Sequence, residues 1–150
     1  MDTRQIDTAL RRSRISNYTG VFACDQVPIA LRGTAVVNLD EKRKPGSHWI
    51  AIWISEDGKR GEYFDTFGRK PKGLLETYMN ENCTTWTCNN KQIQSVISRV
   101  CGVYCILYCI FRSRGCDILK FVSLFTKDTA LNDLIACKLL RKLGLVMSKK

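Results

Sequence analysis

Hydrophobic and polar positions along this chain follow two periods. Thr34–Leu39 (TAVVNL) and His48–Ser55 (HWIAIWIS) are short β-branched and aromatic runs without a breaker, the composition of strands. Glu56-Asp57-Gly58-Lys59 carries the Asp-Gly signal of a tight turn, and Gly61–Phe67 (GEYFDTF) returns as the second strand of a hairpin. Elsewhere the spacing is helical. Ile6 and Leu10 mark a basic helix over residues 3–14; Leu74, Leu75, Tyr78 and Met79 mark another. Asp117–Phe125 and Thr129–Leu143 are predicted helices, the latter with Leu131, Leu134, Ile135, Leu139 and Leu143 as its apolar stripe. Asn17–Gly20 reads as a break and Val21–Asp25, with Pro28, as an apolar turn-rich segment. Asp40–Gly46 reads as a charged loop, Gly68–Lys72 as a basic one, Asn82–Asn90 as irregular and Lys91–Ser95 as a short strand. Strands grouped in the middle with helices at both ends predict one α+β domain over residues 1–150, a central mixed sheet flanked by helices.

One stretch departs from simple alternation. Gln94–Cys109 (QSVISRVCGVYCILYC) passes from polar residues through Cys-Gly into an apolar run of buried-helix length. The pattern starts this helix at Cys101 and stops it at Arg114-Gly115. A helix N-terminus offers unpaired N–H groups and partial positive charge. Both depress a thiol pKa and stabilise an oxyanion, so Cys101 is a candidate nucleophile. Cys105 and Cys109 repeat at helix-face spacing and read as core residues.

Composition sharpens this picture. The chain has 150 residues, 45% of them hydrophobic, which suits a single compact domain. No apolar run reaches the ~18–20 residues of a membrane span. The opening MDTRQIDTALRRSR has no apolar signal region, so an intracellular protein with reduced cysteines is expected. The net charge of +10 favours polyanionic partners, namely nucleic acid, acidic proteins or an anionic membrane face, or is simply a solvated basic surface. There are eight cysteines but a single histidine and no CxxC pair, which argues against a structural zinc site.

That single histidine, His48, opens the best strand directly after a loop, where rigid scaffolds hold active groups. A Cys/His dyad in this chain has no other base to use. In the hairpin reading Asp65 comes beside His48 at one sheet edge and can fix the imidazole tautomer. Pattern alone favours a solvated carboxylate near a turn. Gln94 precedes Cys101 and can donate a side-chain amide to an oxyanion alongside the Cys101 backbone N–H. Gly102 permits close approach to the nucleophile.

Taken in order, His48-Trp49, Asp65-Thr66-Phe67-Gly68 and Gln94-x-x-x-Ser98-x-x-Cys101-Gly102, with Ala35-Val36-Val37-Asn38 upstream, resemble the adenovirus protease (adenain) group. Relatives of that group occur in Polinton/Maverick elements and other DNA viruses, and it is similar in turn to the Ulp-type proteases that remove SUMO. The resemblance covers roughly residues 20–111 and leaves the helices over 116–150 uncovered.

The resemblance implies a papain-like, adenain-like cysteine peptidase. Cys101 is its nucleophile, His48 its base and Gln94 its oxyanion donor. Asp65 stands where adenoviral enzymes carry a glutamate and Ulp-type enzymes an aspartate. Trp49 is expected to pack beside the histidine. It further implies a viral or mobile-element maturation protease that trims capsid or core precursors through a thioester, placed in the virion and the host nucleus if viral. No cofactor is required for the chemistry. DNA and a peptide are candidate activators. Arg11-Arg12-x-Arg14, Lys42-Arg43-Lys44, Arg69-Lys70-x-Lys72 and Arg141-Lys142 are available to phosphates. Cys83 lies at a distance from Gln94 comparable to that of a cysteine which in adenoviral enzymes forms a disulfide to an activating peptide, but Cys88 is nearby too, and an exposed cysteine of no special role is the favoured reading. A monomer acting on protein or peptide substrates is expected. The alternatives are a ubiquitin-like-protein deconjugase with the same residues, or an inactive basic DNA-binding virion protein.

Overall fold

The computed structural model describes residues 1–43 and 47–145. The end of the Asp40–Gly46 loop, Lys44 of the second basic cluster and residues 146–150 lie outside the described residues. Ten elements follow one another: α1 (Thr3–Arg12), β1 (Tyr18–Ala23), β2 (Gly33–Asn38), β3 (Trp49–Ile54), β4 (Arg60–Phe64), α2 (Leu74–Asn82), β5 (Thr85–Cys88), α3 (Cys101–Ser113), α4 (Ile118–Ser123) and α5 (Thr129–Lys142). The sheet order is β1-β2-β3-β4-β5. The inner strands β2, β3 and β4 are antiparallel, and each edge strand adds in parallel, so the sheet is mixed.

Strand periodicity divides the core into two layers. Val36, Ala51 and Phe64 face α1, α3, α4 and α5. Ala35, Val37, Ile50, Ile52 and Tyr63 point the other way, onto Leu75 and Met79 of α2. α3 is buried from Cys101 through Ile110 because it lies against β2 and β3 and is walled by α1 and α5. Its all-round apolar sequence is what such a position requires. Among the described residues no helix is long and apolar enough to cross a membrane, and no group of three or more His, Cys, Asp or Glu is placed to hold a metal.

The hairpin, the Cys101 helix and the helical C-terminal third match the sequence reading to within a few residues. Four local readings do not. Tyr18–Ala23 is an edge strand paired with β2, and the break before it is Asn17 at φ 60. Its burial does not alternate, so no period-2 signal marks it. The fifth strand is Thr85–Cys88, paired with β4 from Arg60↔Thr85 to Tyr63↔Cys88. Lys91–Ser95 is no strand; Ile93 and Gln94 instead give their backbone N–H groups to Thr66 O. In α5 the buried positions are Asn132, Ala136 and Leu140, while Leu131, Leu134 and Leu143 are exposed. Asn132 is buried because its amide bridges Ile93 O, Thr126 O and Thr126 N. Hydropathy ranking misses a buried amide whose partners are remote in sequence.

Candidate active site

Of the four candidate side chains, His48, Asp65 and Cys101 stand at the ends of regular elements, and Gln94 lies in the segment between β5 and α3. His48 immediately precedes β3, where its carbonyl accepts from Leu39 N at 2.9 Å. Asn38 Oδ1 holds the approaching loop through Asp40 N and Ser47 N. Asp65 immediately follows β4. Because β3 and β4 are antiparallel, the start of one and the end of the other are neighbours. Cys101 is the first residue of α3, which packs on β2 and β3 and opens at this end on the same cleft as His48.

His48 Nε2 and Asp65 Oδ1 are 2.8 Å apart, and both side chains are buried. The other imidazole nitrogen is thereby left to Cys101, with which His48 interacts directly. Burial by itself disfavours the charged form of each of the three groups. At His48 the hydrogen bonds and charges of Asp65 and Cys101 outweigh it and push the pKa up to about 9. At Cys101 the His48 ring and the backbone N–H groups of Trp49 and Gly102 outweigh it and pull the thiol below its ordinary value. At Asp65 burial is overcome by His48, the Phe67 N–H and Arg69, which hold the carboxyl below the usual range. The lowered thiol and the raised imidazole both favour a thiolate–imidazolium pair with a carboxylate behind it.

The surrounding residues lock this geometry. Asn89, buried, donates from Nδ2 to Asp65 O at 2.7 Å and accepts from Asp65 N at 3.1 Å. Phe67 N donates to Asp65 Oδ1 at 2.9 Å, and the Phe67 ring stacks on His48 at 4.8 Å. The Arg69 guanidinium lies over the Phe67 ring at 5.1 Å, and its Nε reaches Asp65 Oδ2 at 3.5 Å. The aromatic ring stacked on His48 is thus Phe67. Trp49, expected there, turns its indole N–H to Met1 O at 3.1 Å. Gly102 also differs from expectation. The groups that approach it closely are Ile6 and Met1 of the N-terminal segment, with Ile6 Cδ1 3.2 Å from where a Cβ would lie.

Gln94 is buried beside this group. Its Oε1 accepts from Thr66 Oγ1 at 2.5 Å, and its Nε2 faces Ser98 O and Ser98 Oγ at 3.1 and 3.2 Å. His48, Gln94 and Cys101 all open on one cleft of ≈ 970 Å³, which Trp49, Phe22 and Val96 also line. Cys83 lies elsewhere, packed under Gly61 and Met79. It is buried rather than exposed, and burial pushes its pKa up, away from the reactive thiolate. Cys105 and Cys109 are fully buried core residues, as their spacing predicts.

Asn89 carried no signal in the sequence, since a lone Asn in a polar stretch is unremarkable. The Trp49 N–H is equally invisible there, because every residue but proline has one. Phe67 and Thr66 were legible only as neighbours of Asp65 in a motif.

The chain resembles adenovirus proteases. It is 30% identical to the protease of Bovine adenovirus 4 over 98 residues, which is 55% of this chain and 49% of that one. It is 26% identical to the protease of Snake adenovirus serotype 1 over 110 residues, 62% of this chain and 55% of that one. The chain therefore spans about half the length of the curated relatives it matches. In three dimensions it shares the fold of an ASFV protease, with a TM-score of 0.64 and 19% identity, over 91% of this chain and 66% of that one. No protein-family model matches the sequence.

Proposed function

We propose that this chain is a cysteine endopeptidase that matures viral or mobile-element precursors, with Cys101 as nucleophile, His48 as acid and base, Asp65 as orienting carboxylate and Gln94 as oxyanion donor. The observation that carries the reading is the buried His48–Asp65 pair facing a thiol of lowered pKa at the mouth of α3. Similarity to viral proteases supports it.

In the proposed reaction the Cys101 thiolate attacks the scissile carbonyl carbon. A C–S bond forms and the carbonyl π pair moves to oxygen. The Gln94 amide and the Cys101 N–H, which as the first residue of α3 lacks an intrahelical partner, receive the negative charge. The His48 imidazolium gives its proton to the leaving nitrogen as the C–N bond breaks, leaving a thioester. Neutral His48 then takes a proton from water, hydroxide adds to the thioester, and C–S cleavage returns the thiolate.

Small residues, commonly glycine, are the expected residues before the cut, and capsid or core precursors the expected substrates, with action in the virion or host nucleus. The exposed cations Arg11, Arg12, Arg69 and Lys70 offer phosphate contacts by which DNA would concentrate enzyme and substrate. A peptide-aldehyde or vinyl-sulfone probe, applied with and without DNA, tests the class. Adduction confined to Cys101 and lost in His48→Ala supports it. A Cys101→Ala protein that still cleaves a Gly-Gly-type fluorogenic peptide overturns it. Faster turnover of a ubiquitin-like C-terminal substrate than of that peptide would make the protein a deconjugase.

A further inference from the structure

Gln94 is useful as an oxyanion donor only if its amide nitrogen, rather than its oxygen, is presented to the reacting centre. Its two ends are chemically distinct: the oxygen only accepts and the nitrogen only donates. The Thr66 hydroxyl donates to Oε1 at 2.5 Å. On the other side stands Ser98 O, 3.1 Å from Nε2. A backbone carbonyl cannot donate, so a flipped amide would set two acceptors against each other there. Thr66 also holds the same residue by its main chain, since Thr66 O accepts from Gln94 N at 3.3 Å and from Ile93 N at 2.9 Å. Thr66 is completely buried. Ser98, by contrast, is on a segment with exposed Val96 and Ile97. Of the two anchors, Thr66 is the rigid one. Nε2 also lies 3.2 Å from Ser98 Oγ, so both its hydrogens have acceptors on Ser98, and the hydrogen facing the hydroxyl is the one to be turned to a developing oxyanion while the Ser98 carbonyl keeps the other.

We propose that Thr66 is the positioning residue for the oxyanion donor. Asp65 and Thr66, adjacent at the end of β4, then have complementary roles, Asp65 orienting the imidazole and Thr66 the Gln94 amide. This rests on the protease reading above. It adds that loss of the Thr66 hydroxyl weakens transition-state binding and leaves the thiolate–imidazolium pair intact.

The test compares Thr66→Val, which keeps shape and removes the hydroxyl, with Thr66→Ser, Gln94→Ala and the Thr66→Val/Gln94→Ala double variant. Each is assayed on the fluorogenic peptide, for iodoacetamide alkylation of Cys101 and for peptide-aldehyde affinity. Thr66→Val should lower kcat about 10- to 100-fold, less than the ~10²–10³ of losing a donor outright. KM should stay within about twofold. Aldehyde affinity should fall with kcat, and alkylation should match the wild type. Thr66→Ser should restore most of kcat, and the double variant should be no slower than Gln94→Ala alone. An unchanged kcat in Thr66→Val, fully multiplicative losses in the double variant, or alkylation that falls in parallel would each overturn this inference alone. A wild-type protein that forms no aldehyde adduct at Cys101 would overturn the protease reading and this inference with it.

Discussion

His48 Nε2 lies 2.8 Å from Asp65 Oδ1, out of solvent, and this one contact decides which imidazole nitrogen is left for Cys101. It also sets the pH behaviour. His48 titrates near 9 and the Cys101 thiol below its ordinary value, so the ion pair exists between those two limits. As pH falls through the lowered thiol pKa, the thiolate is protonated, and both alkylation and hydrolysis decline. As pH rises through about 9, His48 loses the proton that the leaving group needs. Hydrolysis then declines while alkylation persists. Rates of iodoacetamide reaction and of peptide cleavage against pH check this. Alkylation that begins only above pH ~8.5, as for an ordinary thiol, would contradict it.

Asp65→Asn keeps the shape and removes the charge. The imidazolium loses its nearest stabilising partner, so the alkaline limb should move from about 9 towards the ordinary histidine value of 6.5. Activity should fall roughly 10²–10⁴-fold, in line with losing the orienting carboxylate of a triad. The full pH profile of kcat/KM measures both effects. A limb that stays in place would show that Asp65 is not what holds the proton on His48.

Gly68→Ala tests the support beneath the site. Gly68 has φ +70, and an added Cβ would lie 2.8 Å from the backbone carbons of Asn90 and Lys91. Those residues follow Asn89, the clamp on the Asp65 backbone. The left-handed conformation alone costs an alanine about 1–2 kcal/mol, and displaced backbone adds to that. A loss of more than about 2 kcal/mol in urea unfolding, with reduced activity, is expected. Stability equal to the wild type would mean that the segment yields freely.

Asn132→Ala removes the amide that joins α5 to Ile93 and Thr126. The buried Ile93 O and the half-buried Thr126 O and N lose their partner, and leaving a buried group unpaired costs about 1–3 kcal/mol. A net destabilisation of about 2–4 kcal/mol in chemical denaturation is expected. Leu134→Ala, on the exposed side of the same helix, should change stability by less than about 0.5 kcal/mol. The reverse ranking would restore the apolar stripe that periodicity predicts for α5.

Much of the fold was legible in local pattern. The β3–β4 hairpin announces itself through β-branched runs around Asp57-Gly58, and α3 through an apolar run that follows Cys-Gly. Both signals are local because hydrogen-bond geometry along a strand or helix repeats within a few residues. The same logic failed at β1 and β5. Their pairing is parallel and at the sheet edges, so their strand character comes from β2 and β4 rather than from their own alternation.

The amino-acid order alone determined the type and order of the elements around the site and the identity of the one available imidazole. It also placed the thiol at a helix start. Only the tertiary structure decided that His48 meets Asp65 through Nε2, that Phe67 rather than Trp49 stacks on the ring, and that Asn89 pins the acid. It likewise decided that Gln94 is held between Thr66 and Ser98. The reason is physical: these are contacts between residues 17 to 28 positions apart, or between ring faces and backbone groups, and burial makes their energies depend on distance and direction. Sequence spacing encodes neither once the chain has turned a corner.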